Sequence, residues 1–278
     1  MLTDYHTHLR PDDLGASADQ YFTEANVSRY VETAEARGIA ELGFSEHVYR
    51  FRQALDIWRH PFWEENATDD LDAYCEFVEQ MKAAGHAVKL GIEVDYLPGK
   101  EEQIAALIAG RPWDYVIGSV HFIEEGAVDH DGYDAWRSSG PDQVWSDYFR
   151  TLGEAAASGL FDVLAHPDLV KVWGAGRPAP SRDPKAFYEL ALDGIAASDV
   201  AIEVSTAGLR KPTGEIYPAR AFLEMCTDAG RAVSLSSDAH EPEYLGYGYD
   251  TALDFLNEAG VSQVSVFEGR RRTEEPLG

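Results

Sequence analysis

The chain has 278 residues, of which 45% are hydrophobic, and its 49 aspartate and glutamate residues outnumber its 23 lysine and arginine residues, giving a net charge of -26. That length and apolar content suit a single domain over residues 1–278 with one substantial core. The charge repels phosphate polymers over the whole surface, so it argues against nucleic acid as a partner.

Two further features concern the compartment. The first residues, MLTDYHTH, lack the basic and apolar regions of a signal peptide, and no apolar run approaches the roughly 18–20 residues of a membrane helix. Cys75 and Cys226 lie far apart in predicted helices, which indicates neither a disulfide framework nor a thiolate metal site. We therefore expect a cytoplasmic protein with two buried thiols and no membrane partner.

A recurring pattern runs through the chain: an amphipathic helical stretch, a glycine, and then an apolar run. The apolar runs predict strands near residues 2–5, 40–45, 88–94, 114–120, 161–165, 200–204, 232–236 and 262–267. Continuous runs such as FDVLA are typical of parallel strands buried on both faces. The alternation of strands and helices predicts an α/β fold, either a closed parallel barrel of seven or eight strands or a doubly wound open sheet.

Histidines and carboxylates follow these strands in chain order. His6 and His8 come after the first strand, and side chains two residues apart on an extended chain point the same way. The other candidates are Glu46 and His47 after the second strand, Glu93 after the third, His121 after the fourth, His166 after the fifth, and Asp238 and His240 after the seventh. This position favours the barrel, because the carboxyl ends of all barrel strands meet on one face.

Two stretches and the tail depart from the pattern. Residues 48–68 are rich in arginine and aromatic residues, and residues 122–140 contain several Gly, Asp and Ser. Both are expected to extend the rim and shape a substrate pocket. The final segment, RRRTEEPLG, is predicted to be a frayed tail.

Histidine and carboxylate ligands without thiolates suit Zn, Mn or Fe. The candidates outnumber the roughly four to six ligands of one ion, so we expect two or three divalent ions. Clustered ions activate water and stabilise the attacking and leaving oxygens of phosphoryl transfer. The pattern therefore predicts metal-assisted hydrolysis of a phosphate ester.

Other phosphatase chemistries lack their motifs. The sequence contains no DxDx[TV] run, no RHG triplet and no G-x-x-x-x-G-K-[ST] loop. Cys226 and Arg231 are one residue too close for a CX5R phosphate loop.

Two cations follow the sixth predicted strand in EVSTAGLRK. Arg210 could bind a phosphate through two hydrogen bonds, and Lys211 could act as a point charge. Arg50 and Arg52, after His47, are further candidates for substrate binding, with loop packing as the alternative role.

The series HTH, SEH, GIE, SVH, AHPD and SDAH resembles the polymerase and histidinol phosphatase (PHP) family across nearly the whole chain. The stretches EVSTAGLRK, IYPARAFL and SSDAHEP resemble its histidinol-phosphate phosphatase branch. The resemblance implies a distorted (β/α)7 TIM-like barrel with a metal site at the C-terminal rim. The barrel that the resemblance implies has seven strands, one fewer than the eight apolar runs that predict strands in this sequence.

The resemblance also implies an assignment of ligands to three ions. His6, His8, Glu93 and Asp238 would hold the first, Glu93, His121 and His166 the second, and His47, His240 and a residue of the loop after His8 the third. That loop reads LRPDDL, and Asp13 is our choice with Asp12 as the alternate.

The implied activity is that of a histidinol-phosphatase, which releases phosphate from L-histidinol phosphate in histidine biosynthesis. Asp238, His240 and Arg210 are the predicted catalytic residues, and either Asp238 or a metal-bound water could protonate the leaving group. Position alone suggests Glu124, Tyr49 or Trp58 for the amine and imidazole. The alternatives are a PHP phosphoesterase for another small phosphate ester or nucleotide, and a non-catalytic metal-binding regulatory module.

Overall fold

Seven parallel strands form the centre of the molecule in a computed structural model that describes residues 1–12 and 15–278. In chain order they are β1 (Leu2–Asp4), β2 (Ile39–Phe44), β3 (Val88–Asp95), β4 (Tyr115–Ser119), β5 (Val163–Leu164), β6 (Ala201–Ser205) and β7 (Val233–Ser236). Each pairs in parallel with the next. The first seven predicted strands are therefore confirmed to within a few residues at their ends.

The sheet nearly closes on itself. At the carboxyl ends of β1 and β7, His8 N donates to Ala239 O at 2.8 Å and Ala239 N donates to His6 O at 3.3 Å. The two edge strands are thus joined just beyond their ends, next to the predicted ligands. This arrangement confirms the TIM-like barrel over the doubly wound open sheet.

Helices surround the barrel and alternate with its strands. They are α1 (Ala18–Tyr21), α2 (Glu24–Ala36), α3 (Pro61–Asn66), α4 (Leu71–Ala83), α5 (Glu101–Ile108), α6 (Pro141–Ala157), α7 (Lys185–Ala197), α8 (Arg220–Asp228) and α9 (Tyr249–Glu258). Side chains that accept from free backbone N–H groups cap three of them: Thr23 at the start of α2, His60 at the start of α3 and Asp70 at the start of α4. Within the described residues, no helix has the length and apolarity needed to cross a membrane.

The eighth predicted strand does not join the barrel. Residues 263–268 form β8 (Gln263–Glu268), which pairs antiparallel with β9 (Arg271–Pro276) in a separate hairpin. The barrel therefore has seven strands, as the PHP resemblance implies, and the eighth apolar run pairs elsewhere because such a run does not specify its pairing partner. The predicted frayed tail was wrong, since β9 pairs along its whole length and the Arg270 guanidinium donates to Asp162 Oδ2 at 2.8 Å.

This hairpin closes the amino-terminal end of the barrel. Phe267 of β8 is buried and packs edge-on against Tyr5, with ring centroids 5.4 Å apart, and Tyr5 packs in turn against Tyr115 at 5.0 Å. Gly43 and Gly91 face the Tyr115 ring, and a side chain at either position would collide with it. Aromatic rings thus fill the lower part of the barrel, leaving the carboxyl-terminal rim for function.

The two irregular stretches lie at that rim, as predicted. Residues 48–66 form two 3₁₀ turns followed by α3, and residues 122–137 form a short β-hairpin with two further 3₁₀ turns. Both stretches contribute residues to one cavity beside the ends of the barrel strands. Cys75 and Cys226 are free and buried, as expected.

Candidate metal centre

The predicted ligands that the structure describes come together at the carboxyl-terminal rim. Glu93, at the end of β3, is 1% exposed and lies at the centre of the cluster. Around it stand His6, His8, His47, His121, His166, Asp238 and His240. Side chains from six different barrel strands or the turns after them therefore meet in one buried place.

Three of them form a group suited to one ion. Nε2 of His6 and Nε2 of His8 lie 3.7 and 3.4 Å from Oδ1 of Asp238, and the same two nitrogens lie 3.4 and 3.8 Å from Oε2 of Glu93. Two ligands bound at about 2.1 Å to one ion lie roughly 3–4 Å apart. The geometry therefore suits the four-ligand set that the PHP resemblance implies for the first ion.

The other oxygen of Glu93 faces a second group. Nε2 of His166 lies 3.2 Å from Oε1 of Glu93, and Nε2 of His121 lies 3.5 Å from the same atom. His6, Glu93 and His166 also offer ligand atoms within 4.8 Å of one another. Glu93 thus has one carboxylate oxygen beside each group and would be able to hold two ions together with these histidines.

A third group lies toward the cavity mouth. Nε2 of His240 is 3.1 Å from Oδ2 of Asp12, and Nε2 of His47 is 3.8 Å from Oδ1 of Asp12. His8 stacks between the other two rings, with centroids 4.1 Å from His47 and 4.2 Å from His240. Asp12, the alternate, lies at this site, whereas the preferred Asp13 falls outside the described residues.

Buried atoms without partners test whether these residues suit metal ions. Nε2 of His6, both ring nitrogens of His8 and Oδ1 of Asp238 are buried and make no hydrogen bond. Buried polar atoms ordinarily find partners, and leaving several unpaired in one place is costly. A divalent ion would satisfy these nitrogen and oxygen atoms together, so the cluster fits the predicted ions.

Two carboxylates that the sequence analysis did not select orient the histidines. Glu203, in β6, accepts from Nδ1 of His6 at 2.9 Å and from the backbone N–H of His166 at 2.6 Å. Asp95 accepts from Nδ1 of His121 at 2.7 Å. Each bond leaves the Nε2 lone pair free to face the centre, as in many metal sites. Their position at strand ends was the one sequence signal available.

Several carboxylates and histidines of the cluster shift one another's pKa values so that the charged forms are favoured. Burial would lower the pKa of His6, but Glu203 and Glu93 raise it well above its usual range. Burial likewise opposes the protonated form of His121, yet Asp95 and Glu93 bring its pKa to about 10. Burial would raise the pKa of Glu93, but the surrounding histidines hold it well below its usual range. The rings of His6 and His121 are therefore protonated when no ion is bound.

The backbone is strained at two candidate ligands. His166 has φ of 26° and Asp238 has φ of 51°, a region that non-glycine residues seldom adopt. Such conformations persist where the surrounding structure fixes them and cluster at functional sites. At Asp238, Nη2 of Arg210 donates to the carbonyls of Ser237 and Asp238, at 2.9 Å each.

The four predicted substrate-binding cations have different surroundings. Lys211 lines the cavity, and among the described residues no carboxylate lies within 4.0 Å of its amine. Arg50 also lines the cavity, but its guanidinium donates to Glu46 at 2.6 Å and to Asp12 at 2.7 Å. Arg210 turns to the backbone after β7, and the structure does not place it among the cavity-lining residues. Its phosphate contact stays a prediction.

Arg52 is not brought to the site. Its guanidinium lies at the surface, 3.3 Å from Asp70, and also donates to the Thr68 carbonyl. It is absent from the described lining of the cavity. The alternative role, loop packing, agrees with these contacts.

The cavity beside the cluster has a volume of about 470 Å³. Four candidate ligands of the histidine type, His47, His121, His166 and His240, line it together with Asp238, and its other lining residues include Tyr49, Phe62, Asp129, His130, Trp173 and Tyr217. Of the three residues suggested for the amine and imidazole, Tyr49 lines this cavity. Trp58 and Glu124 line a separate surface pocket. The volume suits a small phosphorylated molecule.

Comparisons with known proteins agree with this geometry. Residues 20–207 match the family model described as "PHP domain". A probable histidinol-phosphatase of Deinococcus radiodurans is 32% identical over 249 residues, covering 89% of this chain and 91% of that protein. The histidinol-phosphatase of Lactococcus lactis subsp. lactis is 22% identical over 274 residues, covering 96% and 95%.

A solved structure shares the fold. The crystal structure of histidinol phosphate phosphatase from Lactococcus lactis subsp. lactis, complexed with zinc, L-histidinol and phosphate, has a TM-score of 0.75 with 20% identity and covers 98% of both chains. A putative histidinol phosphatase from Listeria monocytogenes has a TM-score of 0.74 and covers 90% of this chain and 99% of its own.

Proposed function

Because the chain belongs to the PHP domain family, we propose that it is a metal-dependent phosphatase that hydrolyses L-histidinol phosphate to L-histidinol and phosphate. The observation that carries the proposal is the set of buried, unpartnered ligand atoms around Glu93, beside a small cavity that Asp238 also lines. The relatives named histidinol-phosphatase support the choice of substrate.

The metal centre would consist of two or three divalent ions, with zinc as the first candidate. The ligands would be His6, His8, Asp12, His47, Glu93, His121, His166, Asp238 and His240. Ions bound there would lower the pKa of water and neutralise charge on the phosphoryl group. Glu203 and Asp95 would hold His6 and His121 in the tautomers that present Nε2 to the centre.

Residues at the inner end of the cavity would bind and orient the phosphoryl group. The Lys211 amine supplies a positive charge to a cavity in a chain of net charge -26. Asp238 lines the same cavity and stands beside the ligand nitrogens of His6 and His8. Arg210 fixes the backbone that carries Asp238. Asp238 would therefore be held in place through the reaction without rearrangement of its loop.

The outer walls of the cavity suit the rest of the substrate. Phe62, His130 and Trp173 offer aromatic faces on which an imidazole can stack, and Phe62 packs against His130 with centroids 5.2 Å apart. The Asp129 carboxylate lines the same cavity and can meet a primary ammonium group. Together these side chains would bind the cationic half of histidinol phosphate.

The biological setting is part of the same proposal. The reaction would belong to histidine biosynthesis in the cytoplasm, with a small phosphorylated substrate as the partner. The charge of -26 supports the prediction that nucleic acid is not a substrate.

The test is phosphate release by the purified protein from L-histidinol phosphate, p-nitrophenyl phosphate and a single-stranded oligonucleotide, before and after chelation and with zinc or manganese restored. We expect strong preference for histidinol phosphate and loss of activity on chelation. Metal-dependent preference for another ester would overturn the substrate assignment. Bound metal with no turnover of any ester would favour a regulatory module.

A further inference from the structure

Tyr217 occupies a fixed position in the loop after β6. Its backbone N–H donates to Ser205 O at 3.0 Å, and its carbonyl accepts from Ser205 N at 2.7 Å. These reciprocal bonds tie the loop to the carboxyl end of a barrel strand. The side chain is 0% exposed and lines the cavity next to the metal cluster.

The ring of Tyr217 is held from several sides. A Cβ at Gly208 would lie 3.0 Å from the ring, so the glycine allows the loop to pass close to it. The Lys171 amine lies over the ring, 5.5 Å from its centroid, and the His166 ring lies edge-on with a centroid distance of 6.3 Å. Movement of Tyr217 would therefore disturb either its backbone bonds to β6 or its packing against His166.

The hydroxyl of Tyr217 makes no hydrogen bond, which sets it apart from most buried tyrosines of this chain. The hydroxyls of Tyr30, Tyr74, Tyr148 and Tyr249 each donate to a backbone carbonyl. The hydroxyl of Tyr217 is buried and has no partner among the described residues. Because Tyr217 lines the cavity, a ligand bound there can supply the acceptor that the described residues do not.

We infer that Tyr217 is a further substrate-binding residue, whose hydroxyl donates a hydrogen bond to the phosphoryl group held beside the metal cluster. The inference rests on the proposed function in taking a phosphate ester as the ligand. Tyr217 adjoins His166, and both side chains line the cavity that Asp238 and Lys211 also line. A neutral hydroxyl there complements the charge of Lys211, because a phosphoryl oxygen accepts from both.

The test compares two variants that each remove one buried hydroxyl without a partner. Tyr217→Phe keeps the ring and its packing. Tyr115→Phe is the matched control, since its hydroxyl is also buried and unpartnered but lies in the aromatic cluster at the opposite end of the barrel. Three quantities are measured for each variant: the zinc content, the Kd of inorganic phosphate for the zinc-loaded protein by calorimetry, and kcat/KM for L-histidinol phosphate.

We expect Tyr217→Phe to raise the phosphate Kd and lower kcat/KM by about tenfold each, with zinc content unchanged. Tyr115→Phe should leave all three values as in the wild type. A wild-type phosphate Kd in Tyr217→Phe, loss of zinc in that variant, or no phosphate binding by the wild type would each overturn the inference. If phosphate binding weakens as expected but the wild type does not hydrolyse histidinol phosphate, the proposed substrate fails while the inference stands.

Discussion

Glu203 and His6 form a fully buried pair in which a carboxylate oxygen accepts from Nδ1 at 2.9 Å. The other oxygen of Glu203 accepts from the backbone of His166, so one carboxylate links two candidate ligands on different strands. Supporting bonds of this kind fix the tautomer of a ligand and increase its basicity.

Replacement of Glu203 by glutamine should therefore weaken metal binding. The amide can still accept from His6, but its NH2 group would then face the N–H of His166 instead of accepting from it. We expect metal affinity and kcat to fall about 10- to 100-fold. Zinc competition titrations measure the metal affinity. Glu243→Gln is the control, because it changes a carboxylate of an exposed ion pair. Wild-type zinc affinity in Glu203→Gln would show that this pair does not support the centre.

Asp12 and Asp13 can be distinguished by paired variants. Asp12 lies 3.1 Å from Nε2 of His240 and also contacts His47. We expect Asp12→Asn to lose about one metal ion per chain, because an amide is a weaker ligand than a carboxylate. Asp13→Asn should keep the wild-type metal content, measured by mass spectrometry after dialysis. The reverse result would assign the third site to Asp13.

Arg210 and Lys211 are adjacent in sequence but should affect different kinetic constants. Lys211→Gln removes a charge from the cavity, so we expect KM to rise about tenfold with metal content unchanged. Arg210→Gln removes the bonds to the carbonyls of Ser237 and Asp238, so we expect lower kcat and weaker metal binding. If Arg210→Gln raised KM alone, a direct phosphate contact would be favoured.

Metal affinity should fall as the pH falls. In the metal-free protein, carboxylates raise the pKa of His6 well above its usual range and that of His121 to about 10, despite burial. These rings are therefore protonated at neutral pH, and an incoming ion must displace the protons. For each proton that the ion must displace, the metal affinity falls about tenfold when the pH is lowered by one unit. Zinc calorimetry in buffers of different ionisation enthalpy counts the protons released, and a count of zero would contradict the prediction.

The same pKa values have the opposite consequence for the metal-free fold. A histidine whose pKa is raised on folding stabilises the fold fully below its unfolded value of 6.5. For His121, that contribution is lost as the pH rises through about 10. Chelated protein should therefore lose stability toward alkaline pH. Urea denaturation across that range measures the loss, which should be smaller after His121→Asn.

The barrel strands could be predicted because buried parallel strands are continuous apolar runs. The final run has the same character, yet residues 263–268 pair with β9. Pairing depends on which segment lies alongside a strand in space, and the polar sequence of β9 carries no apolar signal. The assignment of residues 1–278 to a single domain stays a prediction.

The clustering of the candidate ligands could be predicted because histidine is uncommon and recurs at strand ends. Their supporting residues could not, because acidic residues are abundant in this chain. Glu203 lies 197 residues from His6 in sequence, and its place in a strand does not by itself distinguish it among 49 acidic residues. Arg210 donates to backbone carbonyls after β7, a role that its charge did not indicate, and its phosphate contact stays a prediction.

The aromatic rings in the lower barrel bear on the order in which products leave. Tyr5, Tyr115 and Phe267 are buried below the cluster, so molecules at its inner end must use the cavity mouth. In the proposed reaction, phosphate lies deeper than histidinol and leaves after it. Phosphate should then act as a competitive inhibitor and histidinol as a noncompetitive one.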